Sequence, residues 1–184
     1  PNGQGIAALM ALGILSNTGI RDLGADDPQA MHLQIEAMKI ALAEAYQHIA
    51  DSDHMTIAPE EFVAEYFLAR RAREIRMDQA AQPSSKIPLD HGTVYLTAAD
   101  EKGMMVSFIQ SNYLGFGSGI VIPNTGIAMQ NRGCGFVIKQ GHPNCVDGGK
   151  RPFHTIIPGM LQKRDKHIGF GIMSGPNQPQ AHAQ

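Results

Sequence analysis

Three features of this chain predict an α+β fold: apolar residues at helical spacing in the first half, short alternating segments punctuated by glycine in the second, and a polar, proline-bearing stretch between them. With 184 residues, 43% apolar and 17% charged, the sequence is large and apolar enough to bury a core.

After the PNGQG turn, Ile6, Leu9, Met10, Leu12 and Leu15 predict a short apolar helix, closed by a turn at Asn17 to Gly19. Asp26, Asp27 and Pro28 form a helix-start signal, because proline's missing N–H is harmless in the first turn. Met31, Ile35, Met38, Leu42 and Ala45 continue that helix. A third helix starts at Pro59-Glu60-Glu61, whose carboxylates suit the positive end of the dipole. It carries Phe62, Val63, Tyr66 and Phe67 inward and ends before Pro83. Residues 78–92, ending AQPSSKIPLDHG, have two prolines and no periodicity, and read as a surface linker. Beyond it YLTAAD, an EKG turn and MMVSFIQS read as a hairpin, and GIVIP and GFVIK as further strands. No internal repeat is present.

The formal charge of -2 comes without a long basic run, and the clusters at Arg70 to Arg76 and Lys163 to Lys166 are short, so nucleic acid is not an expected partner. Arg70, Arg71 and Arg73 read as a solvated helix face. Cys134 and Cys145, the only cysteines, lack zinc-ligand spacing and read as free thiols. No apolar run approaches the roughly 18 residues of a membrane span. The opening PNGQGIAALMALGIL does not begin with Met and lacks the basic start of a signal peptide, which reads as a segment of a longer protein. His32, His48 and His142 are too dispersed for a metal site, and FGSG lies between strand-like pieces rather than before a helix, unlike a phosphate loop.

The chemistry concentrates at DHGTVYLTAAD. An internal threonine hydroxyl is a weak nucleophile. Cutting the bond before Thr93 would free an α-amino group, of pKa about 7.7 to 8, to act as its general base. Gly92 at the preceding position offers little steric resistance to attack on its carbonyl. Taken locally, the same residues also read as a turn glycine followed by a strand-opening threonine.

Together with PNGQG, SNYLGFGSGIVIPNTGIAMQNRGCGF, GGKRPFHTIIP and FGIMSGPNQPQ, that stretch resembles the γ-glutamyltransferase (γ-glutamyltranspeptidase) family of N-terminal nucleophile hydrolases, in the branch that includes cephalosporin-acylase-like members. The blocks stand in the family's order and at about its spacing, nearly end to end. The resemblance implies an αββα sandwich and a precursor that cuts itself at Gly92-Thr93. Residues 1–92 would be the C-terminal part of a large subunit and residues 93–184 the N-terminal part of a small one, the two remaining as a heterodimer. It implies a small-molecule γ-glutamyl or other acyl-amide substrate, water or an amine as acceptor, and no metal or organic cofactor.

Carried over position by position, the resemblance makes Thr93 the nucleophile and Ser111 the hydroxyl residue beside it. Asn112 and Tyr113 fall in the substrate-amine segment, with Tyr113 at the place of the family's asparagine. Ser174 and Gly175 fall in the turn whose N–H groups stabilise the oxyanion. Two blocks depart from the pattern. In QNRGCGF, Arg132, Cys134 and Gly135 stand where typical members pair a carboxylate with the glutamyl ammonium, a charge-assisted bond worth about 1.5 to 3 kcal/mol. After Arg151-Pro152, His154 and Thr155 replace a pair of serines that contact the substrate carboxylate. The leading expectation is a glutathione hydrolase type of activity. An acylase or amidohydrolase acting on other amides, and an unprocessed binding or structural homologue, remain as alternatives.

Overall fold

The computed structural model describes residues 2–82 and 92–184. Among the described residues, four α-helices and four strands are joined by turns: α1 (Gly5–Ser16), α2 (Pro28–His48), α3 (Glu65–Ala72), β1 (Gly92–Ala99), β2 (Met105–Tyr113), β3 (Gly159–Lys163), β4 (Lys166–Phe170) and α4 (Gln178–Ala183). The chain is α+β, with three helices before the antiparallel strands and α4 after them. Most of the expected linker, residues 83–91, lies outside the described residues.

Helix α1 is the centre of the helical layer and packs against α2, α3 and α4. Its Ala7 and Ala11 are fully buried, as are Ala37, Ala41 and Ala45 at four-residue spacing on α2. Small side chains on the facing stripes allow close approach, and Met10, Ile14, Phe62 and Phe67 fill the flanks. The start of α2 is the one the sequence predicts: the Asp27 carboxylate accepts from the Gln29 N–H at 2.8 Å, and Pro28 occupies the first turn.

The third helix differs from expectation. A 3-10 turn at Pro59–Val63 precedes a separate α3, with extended Ala64 between them, so the periodicity breaks. Phe62 and Phe67 are buried as expected, whereas Val63 and Tyr66 face outward. Leu9, Leu12, Met31 and Ile35 are likewise exposed, because the contact stripes of α1 and α2 are made by their alanines.

In the second half, β1 and β2 form the expected hairpin. GIVIP and GFVIK do not form strands; each contributes one isolated bridge, Val121 to Ala128 and Val137 to Cys145. The second hairpin is instead β3 and β4, whose turn is the Lys163 to Lys166 cluster, with Arg164 at φ 57°. β4 lies against the first hairpin, where the Ser107 hydroxyl donates to the Phe170 carbonyl at 3.4 Å.

The two halves are joined by apolar packing, with Phe153 in the helical core and α4 against α1 and α2, and by polar contacts. Asp51, just after α2, accepts from the Arg151 backbone N–H at 2.8 Å and from its guanidinium at 2.9 and 3.1 Å. Residues 2–4 run parallel beside His154, which donates its N–H to the Asn2 carbonyl at 2.8 Å and accepts at its own carbonyl from Gln4 N–H at 2.9 Å.

Candidate active site

The antiparallel register pairs Gly92 with Tyr113 and then Thr93 with Ser111, which leaves Asn112 as the extra residue of a β-bulge. Such a bulge bends the strand and re-aims side chains, and here it lies opposite the Gly92–Thr93 bond. Tyr113, next in line, takes φ 74°, a left-handed conformation that turns the chain away from the hairpin.

Ser111 is the hub of the site. Its hydroxyl donates to the Gly92 carbonyl at 2.6 Å, and accepts from the Thr93 hydroxyl at 3.1 Å and from the Tyr113 N–H at 2.9 Å. A hydroxyl has one donor and two acceptor lone pairs, so all of its capacity is used and its position is fixed. The carbonyl it polarises belongs to the peptide bond in front of Thr93.

Thr93, Ser111 and Asn112 line a cleft of about 930 Å³ together with residues 126–130, His154 and Ile156. Among the described residues lining it there is no carboxylate. The Asn131 side chain ties the cleft wall together: its oxygen accepts from the Leu114 N–H at 3.1 Å and its amide donates to the Leu114 carbonyl at 3.3 Å. The sequence reading passed over Asn131, whose only local signal is a side-chain amide beside the glycine-rich run.

His154 reaches the cleft as a neutral donor. Burial first, and then the nearby Arg132 charge, push its pKa down to about 4. Its Nδ1 accepts the Ile156 N–H at 3.2 Å, which leaves Nε2 to carry the proton. Thr155 does not line the cleft; it is buried, and its hydroxyl accepts from Arg132 at 3.1 Å.

Arg132 stands behind the wall rather than in the cleft. Its Nε and one terminal nitrogen donate to the Phe153 carbonyl at 2.9 and 2.7 Å, and its guanidinium stacks 3.9 Å from the Tyr113 ring centroid. The side chain thus braces the turn after β2 against residues 153–155. Tyr113 is itself buried in this stack. Cys134 is exposed, with its thiol directed at the Asn131 carbonyl. Ser174 and Gly175 form a left-handed turn, φ 93° and 50°, which is linked to the His154–Thr155 segment through Gln4 and does not line the cleft. Among the described residues no group of three or more His, Cys, Asp or Glu could hold a metal ion, and no helix is long and apolar enough to cross a membrane.

Residues 1–184, the whole chain, match the model of the gamma-glutamyltranspeptidase family. The chain belongs to that family. It is 39% identical over its full length to the oxamate amidohydrolase proenzyme of Klebsiella pneumoniae, of which it covers 34%. It is 34% identical over 98% of its length to the glutathione hydrolase-like YwrD proenzyme of Bacillus subtilis, again covering 34% of that protein. The crystal structure of cephalosporin acylase from Bacillus halodurans superposes over the full chain with a TM-score of 0.86 at 45% identity, the chain covering 33% of it. The chain therefore spans about a third of the length of these relatives. Its helices and antiparallel strands are those of the N-terminal nucleophile hydrolase fold in the acylase-like branch of the family.

Proposed function

We propose that the whole protein cuts its own chain at Gly92–Thr93 and then hydrolyses an amide through Thr93. The observation that carries this reading is the Ser111 hydroxyl between the Thr93 hydroxyl and the Gly92 carbonyl oxygen. In the uncut chain that arrangement is a proton relay. As Thr93 Oγ1 attacks the Gly92 carbonyl carbon, its proton passes to Ser111 while Ser111 passes its own to the developing oxyanion. The C–N bond then breaks, with the proton going to the departing nitrogen. An ester between Gly92 and Thr93 Oγ1 remains, and water hydrolyses it. The products are a new carboxylate at Gly92 and a free α-amine on Thr93.

That amine, with an ordinary pKa of about 7.7 to 8, takes the hydroxyl proton when Thr93 attacks a substrate amide. The leaving amine receives the proton and an acyl ester forms on Thr93 Oγ1. Water attacks the ester and releases the acid. The family resemblance, not the cleft lining, assigns the oxyanion to the N–H groups of the Ser174–Gly175 turn, whereas His154 Nε2–H and Asn112 line the cleft and bind the acyl part. Arg132, Tyr113 and Thr155 brace the wall behind them. Residues up to 92 end a large subunit and Thr93 opens a small one. The two stay associated through the Asp51–Arg151 pair and the packing of α1 on α4.

For substrate, an acyl amide lacking a free α-ammonium is favoured over a γ-glutamyl donor. The cleft lining has no carboxylate among the described residues to receive that ammonium. Two of the proteins similar to this chain are named as an oxamate amidohydrolase and a cephalosporin acylase. The test begins with the mass of the denatured whole protein. Two fragments, one opening TVYLT, are the expected result, and Thr93→Ala should leave one intact mass and no turnover. A single intact mass in an active wild-type preparation would overturn the reading, and one in an inactive preparation would favour an unprocessed structural homologue. Glutaryl and γ-glutamyl p-nitroanilides, which differ only by the ammonium, then separate the substrate classes; faster release from the γ-glutamyl compound would restore the glutathione hydrolase type.

A further inference from the structure

The PNGQG segment opens the chain, 89 residues before Thr93 if counted from Gln4, yet its side chains converge on the segments that carry the candidate site. Gln4 is fully buried. Its Nε2 donates to the Thr155 carbonyl at 2.6 Å and to the Gly175 carbonyl at 2.7 Å. A carboxamide nitrogen has two N–H bonds in one plane, so one side chain can hold two carbonyls at a fixed angle. Both neighbours are acceptors, which requires the nitrogen rather than the oxygen to face them. Asn2 Nδ2 adds a third clamp by donating to the Pro152 carbonyl at 2.7 Å.

What Gln4 fixes follows from backbone geometry. A peptide unit is planar, so a carbonyl held on one side fixes the N–H on the other. The Ser174 carbonyl accepts the Asn177 N–H at 3.0 Å, which sets the plane that contains the Gly175 N–H. The Gly175 carbonyl, held by Gln4, sets the remaining torsion of a residue already at φ 50°, a conformation open to glycine. The Thr155 carbonyl, also held by Gln4, fixes in the same way the Ile156 N–H that donates to His154 Nδ1 at 3.2 Å, so one clamp ties the His154 ring of the cleft to the Ser174–Gly175 turn.

We propose that Gln4 is a positioning residue that locks the Ser174–Gly175 turn to the His154–Thr155 segment. It would thereby control the rate of acyl transfer from the subunit that does not carry the nucleophile. The inference rests on the amide-hydrolysing reading above. It makes the site a joint product of both fragments.

The test uses the whole protein. Wild type is first checked for the cut at Gly92–Thr93 and for Thr93-dependent hydrolysis; failure there sinks the amide-hydrolysing reading itself. In an active background, Gln4→Met keeps the side-chain length but removes both donors. Ile14→Val, in the buried core of α1, is the matched control for loss of stability. With kcat counted per cleaved molecule, Gln4→Met is expected to lower kcat at least tenfold, with KM within threefold and the pH profile of the α-amine unchanged. Ile14→Val should lower the thermal midpoint and leave kcat alone. Gln4→Glu, which sets an acceptor against two carbonyls, should be at least as slow as Gln4→Met. The inference is overturned if Gln4→Met keeps kcat within twofold, if its loss appears in KM alone, or if Ile14→Val reproduces it at an equal fall in midpoint. A Gln4→Met chain that folds but stays uncut also overturns it, because Ser111 rather than the Gly175 turn holds the Gly92 carbonyl in the precursor. Should Gln4→Met not fold, Gln4→Asn, too short to span both carbonyls, is read by the same criteria.

Discussion

From α1 to α3 the buried apolar side chains face one another: Ala7, Met10 and Ile14 meet Ala37, Ala41, Phe62 and Phe67 with almost no surface left to water. Along the first hairpin the arrangement is different. Val94, Leu96, Val106 and Phe108 share one face and stand 45 to 57% exposed, while Thr93, Tyr95 and Thr97 pair with Ser111, Ile109 and Ser107 on the other. The helical layer is held by its own core. The strand layer is held by directed bonds, the Ser111 hub and the Tyr95–Ser107 hydroxyl pair at 2.9 Å, and the loops beside it by the polar clamps from Gln4 and Asp51. The difference teaches that the helical layer supplies the stability, whereas the accuracy of the cleft depends on hydrogen bonds that bury little apolar area.

Substitutions in the two layers should therefore act on different observables. The largest loss of stability is expected from Met10→Ala in the whole protein, about 2 to 5 kcal/mol, because it empties a fully buried position between helices. Chemical unfolding measures it, and a loss below about 1 kcal/mol would mean that the core is not where the layer's stability resides.

Next in size is Gly171→Ala. An added Cβ would overlap the Tyr95 ring, so the ring must leave and break its bond to Ser107. A loss of about 1 to 3 kcal/mol, accompanied by slower self-cleavage, is the expected outcome for overpacking beside the site. Unchanged cleavage kinetics would uncouple the two ends of β1.

The pH dependence sharpens the comparison further. The folded protein holds His154 at a pKa of about 4, against about 6.5 in an unfolded chain. As pH falls from about 6.5 to 4, the unfolded state binds a proton that the folded state refuses, so stability falls across that window. His154→Gln should flatten the slope there, as read from thermal midpoints at successive pH values. Asp51 works in the same sense, at lower pH. Its hydrogen bonds to Arg151 hold the carboxyl well below the usual aspartate range, so its contribution is full above about pH 4 and is lost as pH drops through the lowered pKa. The destabilisation caused by Asp51→Asn should accordingly shrink below about pH 4. The smallest effect is expected from Leu96→Thr on the exposed hairpin face, within about 0.5 kcal/mol by chemical unfolding. A larger loss would mean that this face is covered in the whole protein.

Much of the fold was legible in the residues because its signals are local. The Asp27 cap with Pro28, the alternation on either side of the EKG turn and the change of character after residue 92 depend on near neighbours. Tyr66 and Val63 were misassigned because helical spacing gives a period and not a partner, and the chain breaks at Ala64 between two short turns of helix. GIVIP and GFVIK have the β-branched composition of strands, but a strand needs a neighbour along its length, and each finds only a single bridge. β3 and β4 escaped notice because their turn is a charged cluster. Of the candidate residues, Thr93, Ser111, Asn112 and His154 meet in one cleft, while Arg132, Tyr113 and Thr155 form the wall behind it.

By itself, the sequence determined α1, α2, the first hairpin and a threonine preceded by glycine at the start of a strand, all set by periodicity, caps and turns over a few residues. Only the tertiary structure decided which hydroxyl polarises the Gly92 carbonyl, that His154 stays neutral, and that Gln4 reaches Gly175 across 171 positions. Those outcomes depend on burial and on the direction of hydrogen bonds between distant segments, and no local pattern of residues encodes either.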